Sequence, residues 1–360
     1  MAAAANPVEL GFVEQRTPWK LRSRYFVSKV GGCPAWLRLN NLPDRSNMLC
    51  KTCGKPLIFL LQVYAPLLEI ESAFHRTIFF FMCSNGRCCR RNDNQNLVVY
   101  RSQLPRRNEF YSYDPPADSD YNEKASTDPS AAKYQPLCCI CGCVASIKCP
   151  KCSEADYCSE DHRDCDWKWN HQNICGKNCT GAGAKRKKAT NHFLLPEYEL
   201  VTETEELPSS GPEKSDEEKM KEYRQFMQSA KAPKEMQDMP LDDLDAVMKK
   251  NDKAFNKFQK RIRLEPEQVL RYHRGETPLW VSAEHVPSSK DIPDCECGAK
   301  RVFEFQIMPQ LLNYLSLDSV QDSIDWGTLA VYTCSKSCEK GMEGYVKEFV
   351  WKQDFSDDHR

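Results

Sequence analysis

Between Cys138 and Cys175 the chain sets its thiols and imidazoles in pairs: Cys138-x2-Cys141, Cys149-x2-Cys152, Cys158-x3-His162 and His171-x3-Cys175. Thiolates and neutral imidazoles are ligands that zinc favours. A Cys-x2-Cys turn brings two thiolates to one ion at about 2.3 Å. Each x3 pair does the same from a helix, where residues i and i+4 share a face. Six thiolates and two imidazoles suffice for two tetrahedral ions. Closed four-ligand sites of this kind leave no position for water or substrate, so they are structural. The N-terminus, Met1–Asn6, has neither a basic n-region nor an apolar h-region. With histidines at ligand spacing, this points to zinc in a reducing compartment rather than to disulfides.

Two more sets of four cysteines flank that stretch: Cys50, Cys53, Cys83 and Cys88 before it, Cys295, Cys297, Cys334 and Cys338 after it. The first set brackets apolar runs of strand character, Leu57–Val63 and Ile78–Phe81, with Leu97–Arg101 following. The second brackets Phe303–Ile307. One zinc ion on each set would clip strand ends together, as in a zinc ribbon. A small β unit, which buries little apolar area, gains from such a clip. Cys89 is an alternative to Cys88, and Cys295-x-Cys297 is one residue shorter than an ordinary knuckle. The flanks also match each other. At an offset of 244, Gly31, Pro34, Trp36, Pro43, Cys53-Gly54 and Gln62 meet Gly275, Pro278, Trp280, Pro287, Cys297-Gly298 and Gln306. At an offset of 251, Cys83 and Val99 meet Cys334 and Val350. Two constant registers, separated by one longer loop, indicate an internal duplication.

The central pairs, with Tyr157-Cys158-Ser159 and Trp169, resemble a MYND zinc finger. The resemblance implies interleaved sites: Cys138, Cys141, Cys158 and His162 on one ion, Cys149, Cys152, His171 and Cys175 on the other. The fold expected is α+β and β-rich. Duplicated zinc-ribbon-like β units form one two-lobed body, with an inserted two-zinc MYND finger and acidic disordered linkers. The boundaries are 1–105 for the first repeat, 106–135 for an acidic linker and 136–176 for the finger, a self-standing module. A basic then acidic linker, largely disordered, covers 177–240, and a helix plus the second repeat covers 241–360. Within the second linker Phe193–Val201 has strand character. Glu197–Glu218 then holds nine carboxylates against Lys214, a charge run that is usually solvated. Apolar residues at three- and four-residue spacing predict a helix over 241–263, with a short second helix from Pro266 to Tyr272.

No P-loop, G-x-G-x-x-G or G-x-S-x-G is present. Asn191–Glu197 looks like a methyltransferase cofactor loop, but Leu194 and Glu197 replace its cysteine and asparagine. Cys33, Cys89, Cys139, Cys143, Cys165 and Cys179 have no neighbour pattern that marks a nucleophile, and His75 reads as a core histidine. An enzyme is therefore not expected. The apolar runs are too short to span a bilayer, and a net charge of −1 shows no broad basic face for nucleic acid. Lys185–Lys188 is a short basic run of the kind that serves as a nuclear signal.

Across nearly its whole length the chain resembles the programmed cell death protein 2 family. The resemblance rests on Lys29-Val30-Gly31-Gly32, Pro34-Ala35-Trp36-Leu37, Leu61–Pro66, Phe74-His75-Arg76, Gln103–Arg106, Leu264–Gln268, Phe305–Leu312 and Asp325-Trp326-Gly327. It implies kinship with a yeast chaperone of small-subunit ribosome assembly, and a basic ribosomal protein, uS5, as client. The finger implies an alternative, an adaptor that docks co-repressor peptides in transcriptional regulation or apoptosis. A monomer with both cytoplasmic and nuclear residence is expected, without direct nucleic-acid binding.

Overall fold

A computed structural model describes residues 7–115, 128–176, 193–207, 253–315, 317, 324–340 and 344–356. Ten strands close into one antiparallel barrel: β1 (Glu9–Glu14), β2 (Lys29–Val30), β3 (Ile58–Tyr64), β4 (His75–Met82), β5 (Leu97–Leu104), β8 (Tyr198–Thr204), β9 (Leu270–Tyr272), β10 (Arg301–Ile307), β11 (Thr328–Cys334) and β12 (Tyr345–Gln353). Their order around the ring is β1-β8-β2-β3-β4-β5-β12-β11-β10-β9. Strands β6 (Ile147–Lys148) and β7 (Asp156–Tyr157) form a separate ribbon. They lead into α1 (Glu160–Asp166), a π-helical turn over Trp167–His171 and the short α2 (Gln172–Ile174). A third helix, α3 (Lys253–Ile262), precedes β9.

The pairings within β2–β5 recur within β9–β12. Ile58↔Met82, Leu61↔Phe80 and Val63↔Ile78 become Val302↔Thr333, Phe305↔Val331 and Ile307↔Leu329. Thr77↔Ser102 and Phe79↔Tyr100 become Thr328↔Gln353 and Ala330↔Trp351. Even the register shift between Phe59 and Leu61 returns between Phe303 and Phe305. The matched glutamines work alike. Gln62 accepts from Ala35 N at 2.9 Å and donates to Ala35 O at 3.2 Å. Gln306 accepts from Leu279 N at 2.6 Å and donates to Leu279 O at 2.9 Å.

Instead of two lobes over a groove, the units share one barrel wall. They meet edge to edge at β5 and β12, and β8 and β1 bridge the other side. Edge-to-edge closure pairs every strand edge, which two stacked sheets could not do. Three antiparallel steps separate β4 from β11, so these strands run in opposite directions. Cys83 and Cys334, at their C-terminal ends, therefore lie at opposite ends of the barrel. The interior joins Leu60, Ile78, Phe80 and Val99 to Phe305, Ile307, Leu329, Val331 and Val350. Strands buried on both faces read as continuous apolar runs, which is why β3 and β4 stand out in the sequence.

Three expectations need correction. The 177–240 linker includes β8, because barrel closure needs a strand between β1 and β2. Residues 270–272 form β9 rather than a helix, since they pair with both β1 and β10. The finger is not free-standing. Its Cys138, Cys141, Cys143 and Tyr157 belong to the same apolar cluster as Trp36, Phe59, Phe79 and Phe81. The predicted helix is present over Lys253–Ile262; its 241–252 part and the Lys185–Lys188 run lie outside the described residues.

Candidate metal centres

Each Cys-bearing turn is built the same way. After the second cysteine of the pair the backbone turns left-handed, at Gly54 (φ 69°), Gly142 (φ 71°), Ser153 (φ 57°) and Gly298 (φ 82°). This lets Gly54, Gly142 and Ser153 donate N–H to the carbonyls of Cys50, Cys138 and Cys149 at 2.8–2.9 Å. Glycine adopts such φ values freely. In the shortened knuckle Gly298 still reaches Cys295 O at 2.7 Å, one residue sooner, so the missing residue does not prevent closure.

Four tetrads result: Cys50, Cys53, Cys83, Cys88; Cys138, Cys141, Cys158, His162; Cys149, Cys152, His171, Cys175; and Cys295, Cys297, Cys334, Cys338. Within each, the ligand atoms lie within 4.8 Å of one another. The central sites interleave. The fourth ligand of the first tetrad is Cys88, while the Cys89 thiol turns away to Asp325 O at 3.2 Å. Sulfur–sulfur distances are 3.6 Å for Cys53 and Cys83, 3.6 Å for Cys141 and Cys158, 3.5 Å for Cys295 and Cys338, and 3.6 Å for Cys297 and Cys334. A tetrahedron with zinc–sulfur bonds of about 2.3 Å has edges of about 3.8 Å, whereas a disulfide needs about 2.05 Å. Donor set and spacing thus fit zinc.

Local structure aims the imidazoles. Ser159 caps α1 by accepting from His162 N at 3.2 Å. This sets His162 Nδ1 3.4 Å from Cys138 Sγ and 3.2 Å from Cys158 Sγ. The π-helical turn ends at His171, whose Nε2 stands 3.4 Å from Cys152 Sγ. Tyr157 OH donates to Asp166 at 2.8 Å and pins α1 to the ribbon. The Ala299 N–H lowers the Cys297 thiol to about 7. Burial raises Cys152, but the Glu154 and Ala155 N–H groups and neighbouring thiols outweigh it and bring it to about 6. These two thiols ionise readily, whereas burial pushes Cys88 up to about 11 and Cys295 up to about 12, so a bound metal would have to draw their protons off.

Buried ion pairs join the C-terminal tetrad to the first unit. Glu348 accepts from Cys334 N at 3.2 Å, Arg101 Nε at 2.7 Å and Arg301 Nε at 2.9 Å. Arg101 of β5 also donates to Cys338 O at 2.7 Å. Nearby, Glu304 accepts from Arg76 at 2.7 and 2.9 Å, from Arg274 at 2.6 Å and from Tyr272 at 2.7 Å. Neither network was legible beforehand, because their partners lie up to 247 residues apart.

The remaining predicted groups fall elsewhere. Cys33, Cys139 and Cys143 sit between finger and barrel: Cys33 Sγ faces Ile140 O at 3.6 Å, and burial pushes its thiol up to about 11. His75 stacks on Phe26 at 4.0 Å and contacts Tyr64 OH at 3.0 Å. Burial first, then Arg106, lowers it to about 4, as for a neutral core histidine. In the acidic run, Glu197, Glu199 and Glu205 pair with Lys29, Arg16, and Arg261 with Arg271. That part of the charge is used within the barrel. Cys179 and residues 208–218 lie outside the described residues. No helix among the described residues is long and apolar enough to cross a membrane.

Family models agree with the two-unit layout. One described as "Programmed cell death protein 2, N-terminal domain" matches residues 7–118, and one described as "Programmed cell death protein 2, C-terminal putative domain" matches 252–354. Programmed cell death protein 2 of Rattus norvegicus is 46% identical over 360 residues, 99% of each chain. Programmed cell death protein 2-like of Homo sapiens is 28% identical, covering 94% of this chain and 93% of its own. A protein of Schizosaccharomyces pombe named "Probable 20S rRNA accumulation protein 4" is 23% identical, covering 95% of this chain and 96% of its own. No solved structure matches. Identity of this extent along the whole barrel and finger shows that the chain belongs to the programmed cell death protein 2 family.

Proposed function

We propose that this chain is a zinc-stabilised chaperone without enzymatic activity, which escorts a newly made, basic ribosomal protein, uS5, into small-subunit assembly. The observation that carries the reading is the similarity, over nearly the full length of both chains, to a protein named for 20S rRNA accumulation. The two units are read as a duplication, with one structural zinc ion in each and two in the finger. Closed tetrads give a scaffold, not a reactive metal, because every coordination position is filled by protein. Escort of a client made in the cytoplasm and assembled in the nucleus calls for residence in both compartments. The test is affinity capture of the tagged full chain with identification of partners, together with depletion. Co-purification of uS5 and a rise in small-subunit precursor rRNA on depletion are expected. Absence of both overturns the reading.

A second reading is favoured by one feature of the finger. Trp169 is 56% exposed on the π-helical turn, with Lys168 at 5.2 Å from its ring. An exposed tryptophan of this kind suits a MYND-type adaptor that docks co-repressor peptides. Loss of co-repressor subunits, but not of uS5, from a Trp169→Ala capture would assign that role to the finger.

A further inference from the structure

The two units present equivalent outer faces, and the finger covers only the first. Over the second lies only its own 276–296 loop, where the His285 ring stacks on Trp351 at 4.5 Å and the His285 carbonyl accepts from its indole N–H at 2.9 Å. In the first, Phe59, Phe79 and Phe81 carry Trp36, whose ring lies 5.1 Å from Phe79. The finger closes over it: Trp36 Nε1 donates to Gly142 O at 2.8 Å, and Trp36 is 3% exposed. In the second, the same register positions are Phe303, Ala330 and Tyr332. They carry Trp280, with Ile292, Phe349 and Trp351 packed alongside. Trp280 is only half-buried, and its indole N–H has no partner among the described residues.

The charge around the two faces differs. The loop bearing Trp36, residues 32–52, has Arg38, Arg45 and Lys51 against Asp44. The equivalent loop bearing Trp280, residues 276–296, has Glu276, Glu284, Asp291, Asp294 and Glu296 against Lys290, and all five carboxylates are exposed. Asp294 is partly answered by Lys300. Lys347, two residues before Phe349 on β12, is the exposed cation of that strand face, so the acidic charge comes from the loop. A predominantly acidic loop beside an apolar face with an indole donor is complementary to a basic segment with an apolar anchor.

We propose that the outer face centred on Trp280 docks a basic protein segment, whose turn offers a main-chain carbonyl to the indole as Gly142 does to Trp36. The inference rests on the chaperone reading for the identity of the segment's owner, and on the repeat geometry for its chemistry. The finger shows what the face requires: a tight turn that approaches closely and accepts one hydrogen bond. Tryptophan anchors of this kind dominate interfaces, and acidic neighbours chiefly set association rate and salt dependence.

The test uses the full chain, with purified uS5 as first probe and the basic proteins extracted from small ribosomal subunits as second. Trp280→Ser weakens binding about thirtyfold, and Trp280→Phe, which keeps the ring but removes the N–H, gives a smaller loss. The pair Glu276→Gln and Glu284→Gln weakens binding at low salt only. A photo-crosslinking residue at Val286, 43% exposed, captures the probe. If wild type binds uS5 while the Trp280 variants, with unchanged metal content and melting, bind equally well, this inference falls and the chaperone reading stands. If uS5 does not bind but a second basic protein does, through Trp280, the site stands and uS5 is wrong. Binding of neither probe removes the site and the reading together. Crosslinks to residues 208–252 of the same chain, to a second copy, or to RNA would assign the face to that occupant and overturn the proposal.

Discussion

Replacing Glu304 by Gln tests how the barrel holds its two units together. Glu304, on β10, and Arg76, on β4, are both fully buried and joined by two hydrogen bonds of 2.7 and 2.9 Å. Arg274 adds a third at 2.6 Å. Removing the carboxylate takes from two guanidinium groups the counter-charge they are bonded to, and leaves the buried Arg76 only the unbonded Glu348 carboxylate, which costs about 3–5 kcal/mol. Proton linkage gives a similar figure. Burial alone would raise Glu304, but Arg76 and Arg274 outweigh it and hold the carboxyl at about 2 against an ordinary 4.5. That difference corresponds to about 3 kcal/mol at neutral pH. Because the folded-state value is the lower one, the contribution is complete above about pH 5 and fades as pH falls from 4.5 towards 2. Arg76→Met is milder, about 2 kcal/mol, since Glu304 keeps Arg274, Tyr272 and Thr333. The measurement is urea unfolding of wild type and both variants by tryptophan fluorescence from pH 7 to 3. Zinc release in acid affects all three chains and cancels in the differences. A Glu304→Gln cost equal to or below that of Arg76→Met, or a gap that persists unchanged to pH 3, would refute this account of the barrel seam.

Metal analysis of the purified chain should return four zinc ions, and two would remove both barrel sites. Cys53→Ser and Cys297→Ser should lower the unfolding midpoint well below that of Cys165→Ser, because only the first two belong to tetrads; three equal midpoints would contradict the assignment. Replacing 136–176 by a flexible linker uncovers Trp36 and should cost about 2–3 kcal/mol for that side chain alone, read as lost solubility or a lowered melting temperature; unchanged melting would make the finger contact incidental. Gly142→Ala should cost about 1–3 kcal/mol, because its φ is +71° and the new Cβ meets Cys33 Cβ at 3.1 Å; a neutral effect on melting would contradict that packing.

What the sequence showed clearly was whatever depends on short spacing or on repetition. The ligand pairs lie within a few residues of each other, so the flanking tetrads could be sketched from spacing and from the two offsets, whereas the interleaving of the central pairs came from the resemblance to a MYND finger and not from spacing. The choice between Cys88 and Cys89 needed the fold, because a 3-10 turn at Gly86–Cys88 aims one thiol at the tetrad and the other at Asp325 O. Strands β3, β4, β5 and β10 were visible as apolar runs because they are buried on both faces over most of their length, whereas β11 and β12 were touched only by the offset that matches Cys334 and Val350. Strand β1, in a poorly patterned terminus, and β9, at three residues, carry too little periodicity to be seen. Both are held by their neighbours around the ring, which no local pattern records.

Carboxylates in two stretches of the chain do different work. Glu197, Glu199 and Glu205 hold β8 and α3 to the barrel through their ion pairs, whereas the carboxylates of 276–296 are exposed beside an aromatic face that the finger does not cover. Charge composition does not separate these roles: it marks 197–218, with nine carboxylates, more strongly than 276–296, with five, and says nothing of what either faces. The repeat does separate them. It supplies an internal reference, the finger-covered first face, against which the second face is seen to lack its cover. A duplicated fold that kept one docking geometry and changed the charge around it has the means to hold its own finger on one side and a basic client on the other.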